Sequence, residues 1–116
     1  MHEQKQKEAE LKRVSAALVG LAFSATVALA ADTTAGKAVY DKACRSCHGA
    51  DGTPNAKIAS AMKVEMRHLG SKEVQALSDA EHKKIITDGK GKMRPIKTVS
   101  AADADNVVAF IRTLKQ

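Results

Sequence analysis

The sequence predicts an all-α fold, a single small domain, and three observations predict it. No stretch shows the alternating β-branched pattern of a half-buried strand. Apolar residues instead recur at helical spacing in four segments, and two of these open on a serine followed three residues later by an acidic residue. Finally, only 86 residues follow Ala30, without tryptophan and with Tyr40 and Phe110 as their aromatics. A core that poor is marginal at this size and calls for a staple or a cofactor at its centre.

The first helix is expected from about Ala35 to Arg45, capped by Thr33 or Thr34, with Gly36, Val39, Tyr40 and Ala43 along one side. "GADGTPN" then reads as a turn, because Gly49, Gly52 and Pro54 cannot continue a helix. Ala56 to Met62 has room for one or two helical turns. Ser78 and Glu81 form a capping box, so "SDAEHKKIITDG" is expected to be a helix that ends near Gly89. In "GKGKMRP" two glycines and Pro95 impose an irregular loop. Ser100 with Asp103 opens the last helix, whose apolar face holds Val107, Val108, Phe110, Ile111 and Leu114.

Residues 1–30 read as a signal peptide. Lys12 and Arg13 precede an uncharged run from Val14 to Ala31, and Ala28-Leu29-Ala30 supplies the small-residue cleavage pattern. The run also reaches the lower limit of a membrane span, about 18 residues, so an uncleaved anchor is the alternative; its Ala, Ser, Thr and Gly content gives weak apolar drive. Either way residues 31–116 form one exported domain, and a periplasmic location is expected.

That domain carries 15 Lys and Arg against 10 Asp and Glu. The excess is a moderate positive field that favours acidic partners. Scattered charge and scarce aromatics exclude a nucleic-acid-binding surface.

"CRSCH", residues 44 to 48, contains the chain's two cysteines with a histidine directly behind them. Residues three and four apart on a helical turn share a face, so Cys44, Cys47 and His48 can project together. Two thiols at that spacing can add to the two vinyl groups of a porphyrin while the adjacent imidazole reaches its iron, the haem-attachment reading of C-x-x-C-H. A dithiol switch places its reactive cysteine at the start of a helix, where the dipole lowers the thiol pKa; Cys44 falls towards the end of one. Structural zinc needs four ligands, and beyond the motif the domain offers only His68 and His82. One covalently bound haem c per chain is therefore expected, with helices packed around it.

With these residues in place the sequence resembles a class I c-type cytochrome of the small bacterial monohaem kind. The resemblance runs from about Ala35 to Lys115 and rests on CRSCH with Gly49 behind it, Gly36 and Tyr40 before it, the "GKGKM" loop and the closing "VVAFIRTLK". It implies that the first and last helices cross, with Gly36 and Tyr40 meeting Phe110. Those residues could equally be ordinary core members.

The sixth ligand of the iron, opposite His48, decides between electron transfer and small-molecule binding. Met93 is the leading candidate, since it lies in a glycine-flanked loop far enough along the chain to return over the other porphyrin face, and the resemblance points to it as well. Methionine opposite histidine raises the potential. Met62 and Met66, at helical spacing, read rather as core filler. His68 and His82 read as surface histidines, the latter because Glu81, Lys83 and Lys84 surround it. Two departures from the family pattern stand out: the proline commonly next to the methionine is displaced to Pro95, and Pro54 lies closer to His48 than the proline whose carbonyl often orients that ring.

The expected function is that of a soluble, exported, monomeric electron carrier rather than an enzyme, with Cys44, Cys47, His48 and Met93 binding the haem, and His48 and Met93 ligating its iron. Its expected partners are redox proteins with acidic docking surfaces, met by some of Lys57, Lys63, Lys90, Lys92 and Lys97. The rival class is a haem sensor or peroxidase-like enzyme in which Met93 is displaceable.

Overall fold

The computed structural model describes residues 30–116. The predicted signal peptide lies outside the described residues except for Ala30. Six helical segments follow one another: α1 (Thr33–Ala43), α2 (Arg45–His48), α3 (Ala56–Met62), α4 (Lys72–Gln75), α5 (Asp79–Asp88) and α6 (Ala101–Thr113). Among the described residues there is no strand, only an isolated antiparallel bridge between Lys90 and Met93.

α1 begins one or two residues earlier than the threonines suggested, because Asp32 is the cap. Its carboxylate accepts the Thr34 and Ala35 amides at 2.9 and 3.1 Å, and its own amide donates to the Asn106 side chain at 2.8 Å. One residue thus starts the helix and fastens it to α6. α1 also stops sooner than expected. Cys44 leaves the helical region, at φ −121° and ψ −32°, and the motif continues as the separate turn α2.

α1 and α6 cross at Gly36. A Cβ there would land on the Asn106 carbonyl, so only glycine lets the two backbones meet. Further along the crossing, Tyr40, fully buried, lies against Phe110 with ring centroids 4.9 Å apart at 57°. Tilted aromatic pairs of this kind add about 0.5–1.5 kcal/mol beyond the area they bury. Val107, Val108, Ala104 and Ile111 of α6 and Ile86 of α5 complete the packed centre. The predicted crossing of the first and last helices is present, with Tyr40 against Phe110 as expected and Gly36 against the Asn106 backbone rather than Phe110.

α5 carries the capping box in full, Ser78 amide to Glu81 carboxylate at 2.6 Å and Glu81 amide to Ser78 hydroxyl at 3.1 Å. Ser100 caps α6 through the Asp103 amide at 3.1 Å. α4, one turn capped by Ser71, had no expectation in the sequence. It belongs to a junction built on α6: Arg112 donates to the Gln75 and Leu77 carbonyls at 2.7 and 2.6 Å and to the Asp79 carboxylate at 2.7 Å. Gln75 in turn donates to the Leu69 and Ile111 carbonyls at 2.9 and 3.0 Å.

Candidate haem site

Opposite the α1–α6 crossing the chain leaves an apolar cleft of about 610 Å³. Cys44, Cys47 and His48 form one wall, and the loop Lys90 to Arg94, with Met93 at its centre, forms another. Ile58, Met62, Val64, Met66 and Leu69 supply much of the remainder. All four predicted site residues therefore face one space, although 45 positions of sequence separate His48 from Met93.

The motif is held in place by three neighbours. Tyr40 donates its hydroxyl to the Gly49 carbonyl at 2.7 Å, with the His48 carbonyl at 3.3 Å. Asn55 closes the loop behind the histidine, its side-chain amide donating to the Ser46 carbonyl at 3.1 Å and its backbone amide to the Cys47 carbonyl at 2.9 Å. The same Asn55 caps α3 by accepting the Lys57 and Ile58 amides. Gly49, at φ 71°, makes the left-handed exit from α2. Neither Asn55 nor the Tyr40 hydroxyl figured in the sequence expectations. An asparagine one residue ahead of a helical stretch was the available signal for the first.

These contacts occupy the carbonyls from Ser46 to Gly49. His48 Nδ1 is itself buried without a hydrogen-bond partner. Burial lowers the His48 pKa below the ordinary histidine value and keeps the imidazole neutral, the form that binds a metal. Burial, then the proximity of Cys47, pushes the Cys44 thiol up to about 11. A reactive dithiol needs the opposite shift, which argues against the redox-switch reading. Among the described residues no three His, Cys, Asp or Glu converge as a metal cluster would require, so zinc finds no cage.

The methionine loop folds back on itself. Lys90 and Met93 exchange both backbone hydrogen bonds, at 2.9 and 3.0 Å. Gly89, at φ 78°, permits this, since a Cβ there would meet the Met93 carbonyl at 2.6 Å and Pro95 at 2.9 Å. The displaced proline therefore packs against Gly89 and closes the base of the loop. Met62 and Met66 line the same cleft as Met93, and Met93 alone of the three also faces the adjoining cavity behind it.

The two remaining histidines depart from expectation. His82 is not a surface residue: it is 6 % exposed and sits on the face of α5 that carries Ile86. His68 is half-buried and accepts the Gly70 amide on Nδ1 at 2.8 Å. The charged neighbours of His82 in sequence point outwards, and its own spacing to Ile86, one helical turn, was the better guide.

The residues fit a porphyrin. Two thiols one turn apart stand beside a neutral imidazole, a thioether lies across the cleft, and the space between them is apolar. Helices around such a site define a small c-type cytochrome. Residues 31–111 match the family model described as "Cytochrome C oxidase, cbb3-type, subunit III", and the chain belongs to that family. Among solved structures it is similar to "KustC0563 c-type cytochrome", at 27% identity over 70% of this chain and 98% of that chain, with a TM-score of 0.60. No curated protein matches the sequence. Membership of a c-type cytochrome family implies haem c and haem-based electron transfer.

Proposed function

We propose that the chain is an exported carrier of single electrons, with one haem c joined through Cys44 and Cys47 and ligated by His48 and Met93. The observation that supports this most is the convergence of those four side chains on one apolar cleft from two distant segments. When bound, the haem supplies a one-electron couple. The chain holds the imidazole neutral, positions the thioether on a folded loop and offers the porphyrin apolar walls. We assign it no catalytic residue.

Around the cleft mouth stand Lys63, Lys90, Lys92 and Arg94, which are exposed and, among the described residues, form no ion pair, whereas Lys37, Arg67, Lys83 and Arg112 each meet a carboxylate. Unneutralised cations at that edge favour a redox partner with an acidic docking surface, in encounters that weaken with salt. The periplasm is the proposed location, on the strength of the pattern in residues 1–30. No helix of the described residues is long and apolar enough to cross a membrane.

A reduced-minus-oxidised visible spectrum with and without carbon monoxide tests the reading. The carrier shows a low-spin spectrum that carbon monoxide leaves unchanged, and Met93→Ala opens the iron to it. Rapid carbon monoxide binding by the unaltered protein favours the sensor or peroxidase-like alternative. The mass of the mature chain gives both the haem count and the signal cleavage site.

A further inference from the structure

His82 is the one buried polar or charged side chain among the described residues. Its Nε2 atom is buried and has no hydrogen-bond partner. A ring nitrogen left unsatisfied in an apolar interior is unfavourable, and where one persists it invites a reason. The ring lines a cavity of about 380 Å³ whose walls are chiefly Leu69, Leu77, Ile85, Ile86, Val107 and Ile111, and which Cys44, His48 and Met93 also border. His82 is thus an ionisable group on the inner side of the space assigned to the haem, and nothing in the carrier reading above uses it.

We propose that His82 is a proton site coupled to electron transfer: it binds one proton from water when the haem is reduced and releases it when the haem is oxidised. The inference rests on the haem-carrier reading. The balance is simple, since the electron comes from the redox partner, the proton from solvent, and the only bond made or broken is N–H at the imidazole. Reduction removes one positive charge from the iron, so the imidazolium is less repelled in the reduced protein. The His82 pKa is therefore higher in the reduced state, and the midpoint potential falls with rising pH between the two values and is flat outside them.

The groups around the ring set where that window lies. Burial is the largest influence and lowers the His82 pKa, and Arg112 of α6 acts in the same direction. The Val74 carbonyl, then Asp79 and Glu81 at the start of α5, oppose them. Arg67, Glu73 and Lys90 border the same cavity, the first two paired with each other at 3.9 Å, and Tyr40 faces it with its pKa raised to about 12, whereas Cys44, once joined to the haem, brings no ionisable proton. The window accordingly falls on the acid side of the ordinary histidine value, about 6.5.

The experiment is a set of spectroelectrochemical midpoints of the haem-loaded protein from about pH 4.5 to pH 8, for the unaltered chain, His82→Gln and His82→Leu, alongside a ¹⁵N NMR titration of the imidazole in the reduced, diamagnetic protein. The expected result is a midpoint that falls with pH in the unaltered chain, reflecting proton affinities that differ about tenfold between oxidation states, and that loses this dependence in both variants, with their visible spectra unchanged. A flat midpoint in the unaltered chain overturns the proposal. So does a slope that survives both substitutions, or a His82 resonance that does not titrate in the reduced protein, a measurement that needs neither variant to fold. A chain that carries no haem overturns the carrier reading along with this one, whereas a haem-bearing chain with a pH-independent midpoint overturns only this one.

Discussion

The two sides of this molecule are built to different standards. Where α1 crosses α6, glycine meets backbone, Tyr40 is fully buried and most of the apolar side chains at the contact are closed off from solvent. Across the domain, the cleft is walled by apolar residues that remain only half-buried, among them Ile58 and Met62 of the short α3 and Val64 and Leu69 of the loop after it. One side is finished by polypeptide alone. The other is a surface whose apolar area becomes interior only against a flat apolar partner, and at about 25 cal/mol per Å² that burial is what a haem contributes to the fold.

Gly36→Val strikes the finished side hardest. With no room between Gly36 and the Asn106 backbone, the helices must separate, and cooperative thermal unfolding is expected to disappear. Retention of a sharp transition would mean that the crossing tolerates a side chain after all. The next largest effect comes from the unfinished side: Cys44→Ala with Cys47→Ala removes the attachment, and both helical circular dichroism and stability are expected to fall. Native helicity in that variant would show that the cleft needs no filling. Hydrogen exchange on it sharpens the contrast, since amides of α1 and α6 are expected to keep more protection than those of residues 49–71 and 89–99.

Tyr40→Phe joins the two sides and has a smaller effect. The aromatic pair survives while the hydroxyl bond to the Gly49 carbonyl is lost, so a destabilisation of about 1 kcal/mol is expected in denaturant melts. The smallest effect lies at the capping box. The Ser78 amide, then its hydroxyl, hold the Glu81 carboxyl below the usual glutamate range. A folded pKa below the unfolded one means that this contribution is present above the unfolded value, about 4.3, and is lost as pH falls through the lowered folded value. Glu81→Gln is expected to flatten that part of the stability profile.

Most of the helical scaffold was legible because its signals are local. Ser78 with Glu81, Ser100 with Asp103 and the Val107 to Leu114 stripe each state an element within a few residues. What escaped notice depends on partners far away in sequence. Asp32 outcompetes two threonines as the cap because Asn106 holds it there. α4 is a single turn whose surroundings come from Arg112. Cys44 departs from helical geometry although nothing in "KACRSCH" breaks a helix. The members of the site were legible from their chemistry and spacing, whereas the clamps on it, Asn55 and the Tyr40 hydroxyl, act through carbonyls that a sequence does not display. The burial of His82 was masked by its charged neighbours.

The meeting of Gly36 with Asn106 also sets an order of events. Synthesis delivers α1 and both thiols long before α6 exists, so the crossing cannot form until nearly the whole domain has been made. A contact between such distant positions is a slow one to establish by chain diffusion. Until then α1 has no partner to pack against, so its stripe of Gly36, Val39, Tyr40 and Ala43 stays open to solvent while both thiols are already in place.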